Sequence, residues 1–235
     1  MSWLRMDEGG WYDSDMTEEK GIKLSPSSLN LYVECPRCFW LKHNKGIGRP
    51  DSIFPSLPGG MDRVLKVYFD EYRGTESLPP IVEGRLEGKL MNPLPKTLTF
   101  VDEELRAILT GKLDDALDFG DGTFAPVDHK TRGSAPKEDI LWMYQLQMDA
   151  YDFLMEKNKY PTKHMAYLVY YYPTPGQLHD NFPFEVAIKP VQTNPEHAYR
   201  QFKDAVNLLR SSEMPQAAKT CSFCAWARLM NNLED

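Results

Sequence analysis

The stretch "GKLDDALDFGDGTFAPVDHKT", residues 111–131, decides the fold of this chain. Asp121 and Gly122 form an Asp-Gly pair between two strand-like segments, which is one of the stronger short-range signals for a β-hairpin. Successive side chains of a strand point to opposite faces, so Asp128 and Lys130 share one face of the second strand. The sequence therefore predicts an antiparallel hairpin whose second strand ends with an acid and a lysine on the same side.

The first strand of this hairpin carries two further acids, Asp114 and Asp115. Folding at the Asp-Gly turn brings this acidic pair near Asp128 across the strands, so we expect two or three acids to converge with Lys130 on one patch. Converging carboxylates repel one another, and a hard divalent cation such as Mg²⁺ relieves that repulsion. Lys130 would offset charge on a phosphate. The residues also leave open a simpler alternative, a surface salt bridge between Asp128 and Lys130.

The segments around the hairpin alternate between helical and strand patterns. A Ser-Pro start at Ser25 and an Asn cap at Asn194 mark the beginnings of two helices. Segments rich in aromatic and β-branched residues indicate two more strands. We expect helices from Ser25 onward and at 59–74, 137–158, 194–212 and near 220–232, and strands at 164–172 and 182–191. This order predicts an α/β protein with a mixed sheet flanked by helices.

The length of the chain, 235 residues, suits one large domain with a sizeable core. We expect an acidic N-terminal tail over residues 1–24, then a single domain over 25–235 with an irregular insertion at about 75–95. The sequence contains no apolar run of the roughly 20 residues that a membrane-spanning helix needs. Its N-terminus lacks a signal-peptide pattern, which predicts a cytoplasmic protein that does not associate with a membrane.

The net charge of −7 argues against a protein that simply coats nucleic acid, because phosphate affinity comes from clustered Lys and Arg. It does not exclude an enzyme that holds a cation between its own carboxylates and a phosphate. The charge therefore favours a catalytic over a purely coating role.

The cysteines form two C-x-x-C pairs near opposite ends of the chain: Cys35 with Cys38, and Cys221 with Cys224. Without a secretion signal, such pairs indicate a metal or cluster site rather than disulfides. Four thiolates suit tetrahedral Zn²⁺ and equally suit a [4Fe–4S] cluster. Spacing does not distinguish these cofactors, and the alternative is four unrelated buried cysteines.

The order of these motifs resembles the PD-(D/E)XK nuclease superfamily, in which an acid on one strand precedes a D/E-x-K on the next. "GKLDDAL" followed by "VDHKT" has this arrangement. "QMDAY", residues 147–151, is similar to the Q-x-x-x-Y helix signature of the RecB-like branch, and "SPSSLNLYVECPRCFWL", residues 25–41, is similar to its first helix. That branch includes nuclease domains of recombination helicases and CRISPR-associated adaptation nucleases. The resemblance implies a restriction-endonuclease-like α/β core.

The resemblance also implies roles for the hairpin residues. Asp114 and Asp128 would bind Mg²⁺ or Mn²⁺ together with the main-chain carbonyl of His129, and Lys130 would be the catalytic lysine. The family's first-helix motif usually adds a His or Glu after a glycine, whereas here the nearest substitute is Asp62. Without a ligand from that helix, the site would hold one ion rather than two, or would lack activity.

The helix signature assigns Gln147 and Tyr151 to orienting the site or touching the DNA backbone. They lie one helical turn apart and so share a face. Ordinary helix packing is the alternative reading of this pair.

Cluster-containing relatives in that branch join an N-terminal cysteine to C-terminal ones. Cys35, Cys221 and Cys224 match this layout, but the usual last cysteine is missing and Cys38 would replace it. The resemblance therefore favours a [4Fe–4S] cluster, with Zn²⁺ as the alternative. In either case we expect a clamp in which metal binding stabilises the fold.

Three functions follow as hypotheses. The first is a metal-dependent DNase with exonuclease-like action on ends or single strands. It would serve DNA repair, recombination or CRISPR-type processing, with a helicase or CRISPR-type complex as partner. The second is a nuclease-fold module that has lost catalysis and binds DNA or assembles with partners. The third is a zinc-stapled binding protein in which the acid–lysine strand is incidental.

Overall fold

A computed structural model describes residues 21–50, 56–178 and 181–231, so residues 1–20 of the expected tail lie outside the described part. The helices are α1 (Pro26–Glu34), α2 (Pro36–Lys45), α3 (Ser56–Asp70), α4 (Trp142–Lys157), α5 (Pro195–Arg210) and α6 (Ser222–Asn231), with a 3₁₀ turn at Glu138–Leu141 before α4. The strands are β1 (Ile22–Leu24), β2 (Lys89–Leu90), β3 (Leu98–Asp102), β4 (Ala107–Gly111), β5 (Asp115–Asp118), β6 (Phe124–Thr131), β7 (Met165–Pro173) and β8 (Phe184–Gln192).

The strands form two mixed sheets. The larger has the order β2-β5-β6-β7-β8, and all its neighbours are antiparallel except β6 and β7, which run parallel. Helix α4 makes the crossover that a parallel pair requires. The smaller sheet has the order β1-β4-β3. The predicted α/β class, with a mixed sheet flanked by helices, is confirmed.

The sequence predicts one continuous strand before the Asp-Gly turn, and the structure of residues 107–119 differs from that prediction. The structure divides it into β4, in the smaller sheet, and β5, in the larger one. Gly111 ends β4 against helix α4, where a Cβ atom would come within 2.9 Å of Leu154 Cδ1. The chain changes sheets at this contact, and Asp114 consequently lies immediately before β5.

The opening helix is also divided, at Cys35 and Pro36. Cys35 has an extended backbone (φ −158°, ψ 102°) and Pro36 begins α2. A proline disfavours helical backbone in the residue before it, which explains the break. Both predicted caps are present: the Ser25 side chain accepts a hydrogen bond from the Ser28 N–H, and the Asn194 side chain accepts one from the His197 N–H.

The core lies on both faces of the larger sheet. Most buried apolar side chains pack on the face covered by α4, together with α1, α2 and α5. A second cluster, on the opposite face, joins α3 to the segment 75–95. That segment is irregular apart from β2, yet it buries apolar side chains at Leu78, Val82, Leu86 and Leu90. These buried side chains therefore make the segment part of the second cluster.

None of the helices in the described part of the chain combines the length and the apolar composition that a membrane crossing requires.

Candidate active site and metal centre

The hairpin brings Asp114 next to Asp128. In the antiparallel pair of β5 and β6, Asp115 is opposite Val127, so the preceding residue lies beside the following one. Asp114 Oδ2 accepts a hydrogen bond from the His129 N–H at 3.3 Å. The Asp128 side chain is only 2% exposed, whereas that of Asp114 is 25% exposed. The two acids thus lie side by side; the carboxylate of Asp128 is buried and that of Asp114 is accessible.

Lys130 lies between three groups that define this site. Its ammonium contacts the Oδ2 atom of Asp128 and lies 3.5 Å from the Oε1 atom of Gln147. It also lies 5.0 Å from the centre of the Tyr144 ring, a distance at which the ring attracts a cation. The predicted pairing of Asp128 with Lys130 is present, but it is a largely buried contact rather than a surface salt bridge.

Gln147 connects α4 to the hairpin. Its Nε2 atom donates to Asp128 Oδ1 at 2.9 Å and to the Tyr151 hydroxyl at 3.3 Å. Burial raises the pKa of Tyr151 to about 12, and the charges of Asp128 and Asp114 contribute in the same direction. Gln147 and Tyr151 therefore lie in the electrostatic environment of the two acids.

The electrostatics of Asp128 indicate a need for positive charge. Burial raises the pKa of Asp128, the neighbouring Lys130 lowers it, and Asp114 raises it again; the net direction is upward. Lys130 thus does not fully offset the effects of burial and of Asp114 on the Asp128 carboxylate. Carboxylate oxygens in this situation fit a hard divalent cation, which prefers oxygen ligands.

Asp115 does not join this site, so two acids, Asp114 and Asp128, converge with Lys130 rather than three. Its side chain points to the opposite face of the sheet, where Oδ1 lies 3.1 Å from Arg73 Nη1. The His129 ring is on that face too, 4.0 Å from Asp115 and 3.0 Å from the Tyr171 hydroxyl. Alternation along β5 separates neighbouring residues in this way.

Asp62, on α3, approaches the site only through Lys66. Lys66 Nζ lies 2.9 Å from Asp62 Oδ2 and 3.6 Å from Asp114 Oδ1. Burial lowers the pKa of Lys66, but the carboxylates of Asp62 and Asp114 outweigh that effect and raise it. The Lys66 ammonium therefore already lies between Asp62 and Asp114, the two acids that would bind a second ion.

The four cysteines meet at one point, away from the hairpin. Their sulfur atoms all lie within 4.8 Å of one another, at 3.6 Å for Cys38 to Cys221, 3.5 Å for Cys38 to Cys224 and 3.8 Å for Cys35 to Cys224. All four are buried. The group joins the start of α2 to the start of α6, as expected of a clamp.

The surroundings of Cys35 favour a thiolate, whereas burial raises the pKa of Cys38 and of Cys224. Burial raises the pKa of Cys35, but backbone hydrogen bonds from Cys38 and Ala218 outweigh it and lower the pKa to about 7. Arg49 Nη2 lies 3.7 Å from Cys221 Sγ and adds positive charge beside the sulfur atoms. Thiolate is the form that binds metal.

Two residues at the hairpin site were not identified from the sequence. Lys66 follows Asp62 by four positions on a helix, a spacing that places both on one face. Tyr144 precedes Gln147 by three positions on α4 and shares its face in the same way. Their helical spacing from Asp62 and Gln147, which the sequence already indicated, would have identified Lys66 and Tyr144.

Comparisons with known proteins identify the family of this chain. No curated protein matches the chain. Among solved structures, the crystal structure of SSO0001 is similar, with 14% sequence identity and a TM-score of 0.47; the alignment covers 84% of this chain and 81% of that one. The family model of the PD-(D/E)XK nuclease superfamily matches residues 61–229, well over half of the sequence. This chain therefore belongs to the PD-(D/E)XK nuclease superfamily.

Proposed function

We propose that this nuclease-family protein is a divalent-metal-dependent deoxyribonuclease that hydrolyses phosphodiester bonds, with exonuclease-like action on DNA ends or single strands. One observation carries the proposal: buried Asp128 contacts both Lys130 and Gln147, beside the accessible acid Asp114. An ion pair that only stabilises the fold would need neither the second acid, Asp114, nor the amide of Gln147. A site that holds a cation against a phosphate uses all four groups.

The proposed ion is Mg²⁺ or Mn²⁺, held by Asp114, Asp128 and the main-chain carbonyl of His129. These are oxygen ligands of the kind that both cations prefer. The upward shift of the Asp128 pKa supports the assignment, because an added cation would stabilise the charged carboxylate. When bound, such an ion lowers the pKa of a coordinated water and stabilises charge on a phosphoryl oxygen.

The side chains around the acids have separate tasks in this proposal. Lys130 would offset the negative charge that develops on the phosphate, an effect that is strong where water is largely excluded. Gln147 would hold the Asp128 carboxylate and the Lys130 ammonium in their relative positions. Tyr151 would orient Gln147 through the hydrogen bond between its hydroxyl and the amide.

We propose that the site holds one ion. Lys66 already lies between Asp62 and Asp114 and carries a positive charge there. A second divalent cation at that position would have to displace the ammonium. Asp62 is accordingly proposed as a partner of Lys66, and it would bind a metal only after the ammonium is displaced.

The RecB-like branch is the proposed relationship within the superfamily. It is supported by the contact of the Gln147–Tyr151 pair with the acid–lysine motif. This relationship implies a role in DNA repair, recombination or CRISPR-type processing, with DNA as substrate and a helicase or CRISPR-type complex as partner. We further propose a cytoplasmic location.

A second candidate function is a catalytically inactive nuclease-fold module that binds DNA or assembles with partners. The engagement of Asp62 by Lys66 favours it, because α3 then offers no free carboxylate to a metal. The persistence of Asp114, Asp128 and Lys130 in one site favours the active enzyme.

Labelled single- and double-stranded DNA tests the proposal. With Mg²⁺ or Mn²⁺ the purified protein should shorten DNA from its ends, and with EDTA it should not. Lys130→Ala should abolish cleavage, whereas Lys163→Ala, which removes an exposed lysine paired with Asp121, should not. Equal cleavage by wild type and Lys130→Ala would refute the catalytic assignment, and DNA binding without cleavage would select the inactive module.

For the cysteines we propose a single metal centre formed by Cys35, Cys38, Cys221 and Cys224. Zn–S bonds of about 2.3 Å place the sulfur atoms of a regular tetrahedron about 3.8 Å apart. The sulfur distances of 3.5–3.8 Å support a mononuclear Zn²⁺ site. A [4Fe–4S] cluster, which the sequence resemblance favours, binds each thiolate to a different iron and requires the sulfurs to spread apart.

Metal analysis of freshly purified protein, handled without oxygen, distinguishes the two cofactors. Zinc at one equivalent in a colourless protein supports the mononuclear site. Iron and sulfide in a brown protein would instead establish the cluster. Neither result bears on the hairpin site, so the nuclease assay remains an independent test.

A further inference from the structure

A second group of metal-ligating side chains lies on the C-terminal half of α4. Asp152 and Glu156 are one helical turn apart, and His164 lies in the turn before β7. His164 Nδ1 is 3.3 Å from Asp152 Oδ2 and 3.7 Å from Glu156 Oε1. One ligand atom from each of the three residues lies within 4.8 Å of the other two. They therefore offer one imidazole nitrogen and two carboxylate oxygens to a common point.

A neighbouring Asp–His pair, formed by Asp149 on α4 and His197 on α5, shows what a purely structural contact looks like here. Asp149 Oδ1 accepts from the Gln145 side chain at 2.8 Å and from the Asn194 N–H at 2.9 Å. Its Oδ2 atom is 2.7 Å from His197 Nδ1. Both oxygens of this fully buried carboxylate are thus satisfied within the described chain.

Asp152 is equally buried, but only one of its two carboxylate oxygens has a hydrogen-bond partner among the described residues. Its Oδ2 atom accepts from the Thr193 hydroxyl and lies near His164. Its Oδ1 atom is buried and has no hydrogen-bond partner among the described residues. An unpaired buried oxygen on a charged group costs more than the about 1–3 kcal/mol typical of neutral groups. A bound cation would satisfy this oxygen.

The backbone of His164 is held in place to present its ring. Its φ is +52°, a left-handed conformation that a non-glycine residue adopts at a cost of about 1–3 kcal/mol. The His164 carbonyl accepts from the Thr193 N–H at 2.9 Å and from Gln192 Nε2 at 2.7 Å. These contacts fix the conformation that brings Nδ1 to the acids.

We propose that Asp152, Glu156 and His164 form a binding site for a first-row divalent transition-metal ion such as Zn²⁺. Imidazole nitrogen suits Zn²⁺ and its neighbours better than Mg²⁺ or Ca²⁺. The side chains of His164 and Glu156 are 51% and 36% exposed, so an ion can enter and keep a coordinated water. Three protein ligands plus a water is a common arrangement for zinc.

The site is separate from both sites described above. Asp152 lies five residues after Gln147, which places it about 140° further around the α4 helix. Its proposed partners Glu156 and His164 line a surface pocket of about 570 Å³, together with Thr193 and Asn194, among others. A bound ion would join the end of α4 to the start of β7, beside the residues that lead into α5.

Zinc binding, measured by calorimetry and by metal analysis after desalting, tests this assignment. Wild type should retain one more Zn²⁺ than His164→Asn, a replacement chosen because Asn tolerates the left-handed backbone. Glu156→Gln should weaken this binding by at least about 10-fold, the loss typical even of an outer partner of a metal ligand. His197→Gln, which removes the neighbouring Asp–His contact, should bind like wild type.

Two results would overturn the proposal. One is equal zinc content in wild type and a folded His164→Asn; the other is a loss in His197→Gln as large as in His164→Asn. Circular dichroism establishes whether His164→Asn folds. If it does not, Glu156→Gln decides the question, because its exposed side chain can change without affecting the core. An unchanged zinc affinity in that variant then refutes the site.

Discussion

Replacing Lys130 by Met tests how the hairpin site balances its charges before any ion binds. The Lys130 side chain is 21% exposed, while its partner Asp128 is almost fully buried. Without the ammonium, the Asp128 carboxylate keeps only the amide of Gln147 as a donor. In buffer without divalent cations, Lys130→Met should therefore lose stability as well as cleavage.

The size of the loss follows from the burial of the acid. Removing one partner of a buried ion pair costs about 3–5 kcal/mol, because an uncompensated charge remains. Protonation sets a ceiling: neutralising an aspartate of ordinary pKa, about 3.9, at pH 7 costs about 4 kcal/mol. We therefore expect Lys130→Met to lower the free energy of unfolding by about 3–4 kcal/mol.

The double variant Asp128→Asn/Lys130→Met makes the test specific. It removes the buried charge together with its partner, so it should be more stable than Lys130→Met alone while remaining inactive on DNA. Urea unfolding of the wild type, both single variants and the double variant gives the coupling energy. Lys163→Met, which breaks an exposed pair with Asp121, is the control and should lose much less.

Additivity would refute this reasoning. If the losses of the two single variants sum to that of the double variant within about 0.5 kcal/mol, Asp128 and Lys130 are energetically independent. The buried pair would then not be the centre of the site.

Other predictions concern the supports of the hairpin. Gln147→Leu removes the amide from Asp128 and should lower metal affinity or cleavage about 10–100-fold in Mg²⁺ titrations, as loss of an outer partner does; an unchanged titration would contradict its role. Gly111→Ala should lose about 1–3 kcal/mol in urea unfolding, since its Cβ would lie 2.9 Å from an α4 side chain; wild-type stability would show that α4 can retreat. Hydrogen bonds from Thr123 lower the pKa of Asp121 below its unfolded value of about 3.9, so its contribution is present above that pH and disappears as the pH falls through the folded pKa. The stability difference between wild type and Asp121→Asn should therefore shrink between pH 7 and pH 2, and a constant difference would contradict the shift.

Local signals made the hairpin and its flanking helices predictable. The Asp-Gly pair at Asp121 and Gly122 lies in the loop that joins Asp118 of β5 to Phe124 of β6, and alternation along β6 places Asp128 and Lys130 on one face. The same alternation, applied to β5, would have separated Asp114 from Asp115. That separation was missed because proximity across the turn was considered without the face to which each side chain points.

Features that depend on distant contacts were not predictable from the sequence. The chain changes sheets after β4 because Gly111 packs against α4, more than thirty positions later in the sequence. The Pro- and Gly-rich composition of residues 75–95 suggested a surface excursion, and nothing local indicated that Val82 is fully buried beneath α3. The approach of Lys66 to Asp114 likewise depends on how α3 docks onto the sheet.

The cysteine clamp has a consequence for the timing of biosynthesis. Cys38 and Cys221 are separated by 183 positions. At a translation rate of about 5–20 residues per second, the first thiol pair waits roughly 10–40 s for the second to be made. During that interval α2 holds two reactive sulfurs without their partners, so metal delivered too early would meet only half a site. If the proposed metal centre forms, its loading is expected to follow the synthesis of α6.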